Sequence, residues 1–318
     1  MKNSLSKSFI LLFSLFTLLT TCEKEIPLVI EEKEQKTAVL CNFSPGEPFN
    51  IELTKSTSLL SNTTNEVNIA DATITICSDG FCAPAVPQAS STKTKFLLSD
   101  GLILPEMGKS YNIQIDIEDQ PTLSGKSYIP SPIEITHSSI GEIIKYPVSI
   151  FDSIPIQDYQ VRLAFQFMDD PNKENFYQVN FYQVLDARLP TASQDSSTAT
   201  FPNLYLSTID DKLTGVSNPI DGGILFNDRT FRVGVQEFVF EPVFSFDKTL
   251  FEKPIEIVLE LRSVSKEYYN FYSSAYRQTN QGDNVPFSTP TMIYSNITNG
   301  LGVFAGYSNT TLKTEIDF

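Results

Sequence analysis

The chain has no tryptophan and a single histidine, His137, among 318 residues. One histidine excludes a multi-His metal site and leaves Ser-His-Asp catalysis only His137 to use. No G-x-S-x-G elbow accompanies it, and neither a P-loop nor a dinucleotide fingerprint occurs. Bases are scarce as well: 23 Lys and Arg stand against 38 Asp and Glu, a formal charge of −15. Phosphate binding needs a basic footprint, so nucleic acid is not an expected partner. After residue 21 no apolar run reaches the roughly 20 residues that cross a bilayer. No cofactor or metal is implied, and an enzyme is not expected.

What is present begins at the first residue. Lys2 and Lys7 precede Phe9-Ile10-Leu11-Leu12-Phe13-Ser14-Leu15-Phe16-Thr17-Leu18-Leu19, an apolar run with the length of an export-signal core. Leu19-Thr20-Thr21-Cys22 then resembles the bacterial lipobox, in which the Cys is acylated and the peptide is cut before it. Thr21 is a less usual residue there than Gly or Ala. Residues 1–21 are therefore expected to be a lipoprotein signal peptide and Cys22 the lipidation site. The alternative is an ordinary cleaved signal with a chance Cys. Acyl chains bury methylenes at about 0.8 kcal/mol each, so several chains hold a protein on a membrane. Residues 22–36 contain Glu31, Glu32, Lys33, Glu34 and Lys36 and read as a polar tether.

Three further cysteines remain. Cys77 and Cys82 flank Ser78-Asp79-Gly80-Phe81, and Asp-Gly between strand-like runs signals a hairpin. Two Cys facing across such a turn are able to bridge in an oxidising compartment. A disulfide is expected there, with two half-buried thiols as the alternative. Cys41 reads as a small core residue.

The 24 Phe and 13 Tyr fall largely in alternating runs, which suit sheets. Residues 37–130 are expected to form an Ig-like β-sandwich domain. Thr37–Phe43, Phe49-Asn50-Ile51-Glu52-Leu53-Thr54 and Tyr111-Asn112-Ile113-Gln114-Ile115-Asp116-Ile117 are its clearest strands. Ile129-Pro130-Ser131-Pro132-Ile133 is a stiff extended link. Residues 131–318 are expected to form a larger, antiparallel β domain. There Gln160-Val161-Arg162-Leu163-Ala164-Phe165-Gln166-Phe167 and the run from Phe176 to Val184 make a long hairpin over a polar turn. Residues 189–200 read as a loop, and 230–240 and 254–263 as strands. One short helix is expected, capped by Ser265 and ended by Gly282, with Tyr268, Tyr272 and Tyr276 on one face.

Asp170, Asn172 and Glu174 alternate as in the start of a calcium loop, but the later Gly and bidentate Glu are missing. A solvated hairpin tip is the better reading. Tyr268, Tyr269, Tyr272 and Tyr276 could stack on a sugar or a partner; the competing reading is a helix docked on the sheet by its Tyr face. Phe318 ends the chain as an aromatic often ends an outer-membrane barrel, but there are too few long alternating strands for one. Acids are too numerous for any carboxylate pair to indicate glycoside hydrolysis.

The order of motifs resembles the domain-of-unknown-function 4249 lipoproteins of Bacteroidota. The matching stretches are Cys22 with its acidic follow-on, Ile69-Ala70-Asp71-Ala72-Thr73-Ile74-Thr75-Ile76, Gly108-Lys109-Ser110-Tyr111-Asn112-Ile113 and the Pro130-Ser131-Pro132 link. Asp169-Asp170-Pro171 with Asn175-Phe176-Tyr177 follows. The most specific piece is Tyr294-Ser295-Asn296-Ile297-Thr298-Asn299-Gly300-Leu301-Gly302-Val303-Phe304-Ala305-Gly306-Tyr307. The chain departs from the pattern at Cys77 to Cys82 and at Phe176, where a second Tyr is common. The resemblance implies an outer-membrane lipoprotein, palmitate-type acylation at Cys22, and frequent pairing with a TonB-dependent receptor. Glu23-Lys24-Glu25 resembles the acidic tag that sends such lipoproteins to the cell surface. The expected function is an accessory, ligand-capture role beside a TonB-dependent transporter. The alternative is a structural or adhesive envelope lipoprotein.

Overall fold

A computed structural model describes residues 35–56, 69, 71–88, 94–98, 102–187, 198–203, 216–217, 222–230, 234–281 and 292–318. Cys22, the tether before residue 35 and Gly282 lie outside the described residues. The described chain is mainly β and sandwich-like, and it is not a closed barrel. Gln35–Phe318 form one compact unit.

The first sandwich contains β1 (Thr37–Phe43), β2 (Phe49–Lys55), β3 (Thr73–Ser78), β4 (Phe81–Gln88), β5 (Thr94–Leu98), β6 (Ser110–Asp116) and β7 (Leu123–Tyr128). Alternation makes these strands. In β6, Tyr111, Ile113 and Ile115 are buried while Ser110, Asn112, Gln114 and Asp116 are exposed. Period-two burial of this kind places one set of side chains on each sheet face. β4 turns the corner between two sheets: its first part, to Ala85, pairs with β3, and Val86, Pro87 and Gln88 pair with β5. Each part has a partner on one side only, which is why Pro84 and Pro87 fit without breaking a ladder. Cys77 and Cys82 lie opposite each other across the Asp79-Gly80 turn and are disulfide-bonded. Cys41 is fully buried and free, and burial pushes its thiol pKa well up, so it is an inert core group.

The second part contains β8 (Ile135–Lys145), β9 (Ser149–Phe151), β10 (Ile154–Met168), β11 (Phe176–Ala187), β12 (Thr198–Pro202), β13 (Val216–Ser217) and β14 (Ile224–Asn227). It continues through β15 (Val235–Phe240), β16 (Val243–Asp247), β17 (Phe251–Val264), α1 (Lys266–Gln281) and β18 (Leu301–Glu315). One sheet is built on β10, which pairs with β8, β9, β15 and β16. The other runs β13-β14-β11-β17-β18, with β12 also on β11. Between them lies a Phe-rich core that includes Phe165, Phe167, Phe181, Phe238 and Phe240. Ring centroids there are 5.3 Å apart for Phe167 and Phe238 and 5.3 Å for Phe181 and Phe240, within the range of favourable aromatic pairs.

β18 serves both sandwiches. Its first six residues run parallel to β1, and the rest run antiparallel to β17. Phe304 consequently belongs to the first core, 4.6 Å from the Phe43 ring, and Ile297, ahead of β18, packs in the same core. The sheet is thus continuous across the expected 130/131 boundary.

Some local expectations are corrected. Residues 198–200, read as loop, open β12; the rest of that stretch lies outside the described residues. Of the strand expected at 230–240, Val235–Phe240 form β15 and Thr230 belongs to a 3-10 turn, Asp228–Thr230; residues 231–233 lie outside the described residues. β8 was not anticipated. Its burial does not alternate, and its register against β10 shifts twice, so the period-two signal is lost.

Candidate functional site

The extended link runs along one wall of a cleft of about 630 Å³. Ile129 is buried and fixes the start of the link: its N–H donates to the Lys109 carbonyl at 3.0 Å and its carbonyl accepts from Gly108 at 2.8 Å. Further along, the Thr310 hydroxyl donates to the Ile133 carbonyl at 2.5 Å. Two prolines between these anchors hold the segment extended.

The polar turn between β10 and β11 lines the same cleft. The Asn175 side-chain amide donates to Asp169 Oδ1 at 3.0 Å, to the Asp170 carbonyl at 2.9 Å and to the Lys173 carbonyl at 3.1 Å. Its backbone N–H donates to Asp228 Oδ2 at 2.7 Å. The turn is therefore tied into one shape by one side chain. Tyr128, Met168, Phe176 and Tyr177 add apolar lining.

The charges are largely neutralised locally. Glu174 accepts from Lys266 at 3.0 Å and from Arg229; Lys266 first, then Arg229, holds its carboxyl below the usual range. Asp170 is held low mainly by the Asn172 backbone N–H, at 3.0 Å. These are the residues that alternate like a calcium loop, and the donors they accept are cations and N–H groups of the chain itself. Among the described residues no group of three or more His, Cys, Asp or Glu side chains could hold a metal.

Asp169 behaves differently. It is buried, and burial raises its pKa, with Asp228 and Asp170 adding to the rise. Hydrogen bonds from Tyr177, at 2.5 Å, and from Asn175 oppose that rise. Asp169 is not among the residues that line the cleft; its Oδ1 is engaged by Tyr177 and Asn175 within the turn. The arrangement can grip an amphipathic ligand or segment between a proline-stiffened wall and a charged one.

A test of this wall follows from Tyr177. A raised carboxyl favours folding below the ordinary Asp pKa, and that contribution is lost as pH rises through the folded value. Tyr177→Phe removes a donor to the ionised form, so the loss should deepen as pH rises. At pH 8 the variant should be less stable by about 1–3 kcal/mol, and clearly less affected at pH 4. Urea unfolding at both pH values measures it.

The Tyr residues expected as a patch sit elsewhere. Ser265 caps α1, its Oγ accepting from the Tyr268 N–H at 3.3 Å. Tyr268 and Tyr272 are buried against Val303 and Ala305 of β18. Asn42 of β1 donates to the Tyr272 hydroxyl. Tyr269 packs on Phe176 at 4.9 Å and accepts from Asn227 at 3.0 Å, and Tyr276 is half-buried. The face is thus docked on the sheet. Tyr268 and Tyr272 are thereby taken up by the core, as a helix docked by its aromatic stripe requires, while Tyr269 and Tyr276 stay partly exposed. His137 is exposed on β8 opposite Gln166.

Behind α1, β11 and β17 carry a buried polar network. Glu260 accepts from Arg262 at 2.9 Å, Asn180 at 3.0 Å, Tyr182 at 2.8 Å and Asn309 at 3.0 Å. Arg262 also lies 4.9 Å from the Tyr307 ring. Burial alone would raise the Glu260 pKa; the Arg262 charge and the hydrogen bonds outweigh it and hold it low. Neither this network nor the cleft was found in the sequence. The link and the polar turn were each legible, but nothing local says that they line one cleft.

A family model described as Domain of unknown function (DUF4249) matches residues 23–313. No curated protein matches the chain.

Proposed function

The chain belongs to the DUF4249 family, and from that premise we propose that it is an outer-membrane, surface-exposed lipoprotein, anchored through Cys22, that serves a TonB-dependent transporter as a non-enzymatic capture partner. The observation that carries this reading is the leader ending in Leu19-Thr20-Thr21-Cys22 ahead of two sandwiches that share β18. An anchored body of this kind holds a binding surface at a fixed place on a membrane. The cleft supports a capture role because its walls are pre-formed by prolines and by the Asn175 hydrogen bonds. Pre-formed walls reduce the ordering cost of binding.

Extraction from the native membrane in mild detergent tests the proposal. The lipoprotein should come out with a β-barrel transporter, and its deletion should impair uptake. Consistent extraction without any barrel would remove the basis of the reading. Lost surface attachment with intact uptake would favour the structural or adhesive alternative.

A further inference from the structure

We propose that the hairpin joining β9 to β10 is a docking wedge for a protein partner whose surface offers an apolar cup with a cationic or N–H-lined floor. Ile150 and Phe151 are 69% and 68% exposed. In the hairpin register Phe151 stands opposite Ile154, and Ile150 opposite Pro155. Side chains paired across strands share a face. Both faces of this tip are therefore apolar and open, whereas an ordinary sheet buries its apolar side and wets the other. Leu250, 59% exposed, lies in the adjoining β16–β17 turn, which is fastened to the hairpin by Lys248 N–H on the Pro155 carbonyl at 3.0 Å. Val148, next to β9 in the chain, is exposed as well. Exposed apolar side chains gathered on one tip mark an interaction site.

A wedge apolar on two faces needs an occupant that surrounds it. A bilayer and a protein cup both could. The turn itself decides between them. Its two residues are Asp152 and Ser153, both exposed and both at positive φ, 47° and 70°. The leading point of the wedge is thus a carboxylate. Entering hydrocarbon would strip that charge of water with nothing to replace it. A protein floor supplies Arg, Lys or paired N–H groups, and a charge-assisted bond inside an apolar rim is strong and specific.

This inference rests on the proposed transporter pairing and is tested beside it. The full lipoprotein is extracted from native membranes as wild type, Phe151→Ser and Asp152→Asn, and the co-extracted β-barrel is quantified. Both positions are exposed, so thermal midpoints should be unchanged. Phe151→Ser should reduce the barrel recovered by about tenfold or more. Asp152→Asn should weaken recovery several-fold and flatten its dependence on salt. Wild-type recovery in both variants would overturn the wedge and leave the pairing intact. No barrel with wild type would overturn both. As a second arm, a fluorophore at Ser153→Cys is placed in the lipoprotein reconstituted into phosphatidylcholine vesicles. It should escape quenching by acyl-chain spin labels; strong quenching would overturn the protein cup in favour of the bilayer.

Discussion

Replacing Glu260 by Gln is expected to lower unfolding stability by about 3 kcal/mol at neutral pH, the scale of breaking a buried ion pair from one side. The Glu260 and Arg262 side chains are only 10% and 12% exposed, so solvent screens the pair little. Gln keeps the shape and loses the charge that faces the guanidinium. The pH dependence supplies a second readout. A depressed carboxyl stabilises the fold fully above the ordinary glutamate range, and that stabilisation fades as pH falls through the folded value. Wild type should lose it on acidification; the variant, having nothing to lose there, should show a shallower decline. Replacing both Glu260 and Arg262 by apolar residues should cost less than the two single losses together. Urea unfolding from pH 3 to 7 checks all three. Equal stability of E260Q and wild type at pH 7 would mean that the network is solvated rather than buried.

Gly302→Ala should be more damaging still, about 3 kcal/mol or more, because overpacking adds to backbone strain. Gly302 adopts φ +102°, and a Cβ there would lie 2.0 Å from the Val39 carbonyl oxygen. Val39 is its partner in the parallel β1–β18 ladder. β1 has no room to retreat, since β2 pairs along its other edge and Val39 is itself in the core. The methyl must therefore open the ladder that joins the sandwiches. Gly46→Ala separates backbone strain from collision. Gly46 also has positive φ, +78°, but nothing lies within 4 Å of its Cβ position. It should cost only about 1–2 kcal/mol, the ordinary penalty for a left-handed Ala. Matching losses at the two glycines would show that the β1–β18 contact carries no special weight.

What could be read from the amino acids tracks how local each signal is. β2 and β6 alternate cleanly, and their positions follow from period two alone; β11 alternates only toward its end, since its first six residues are all buried. Ser265 and the Tyr spacing gave the helix, and the Cys77–Cys82 spacing across Asp-Gly gave a bridgeable hairpin. β18 was read as two pieces, a Gly-rich strand and an alternating tail. Its first part lies close against β1 and its second has one half-exposed face, so the pattern changes within one strand. The parallel pairing of residues 38–43 with 301–306 leaves no local trace in either segment. Glu260 looked like one acid among 38. Only the sheet register, which lays Asn180 opposite it, reveals its setting. The Tyr spacing could not choose between a binding patch and a helix docked on the sheet, because an aromatic stripe reads alike in either setting; the burial of Tyr268 and Tyr272 against β18 is the docked arrangement.

The proposed role depends on the body being held to a membrane by fatty acid at Cys22. Intact-mass analysis of the protein taken from its native membrane tests that directly. The account predicts a chain beginning at Cys22 that carries a diacylglyceryl group and an amide-linked acyl chain. An unmodified Cys22 thiol, or a mature chain that begins elsewhere, would contradict it.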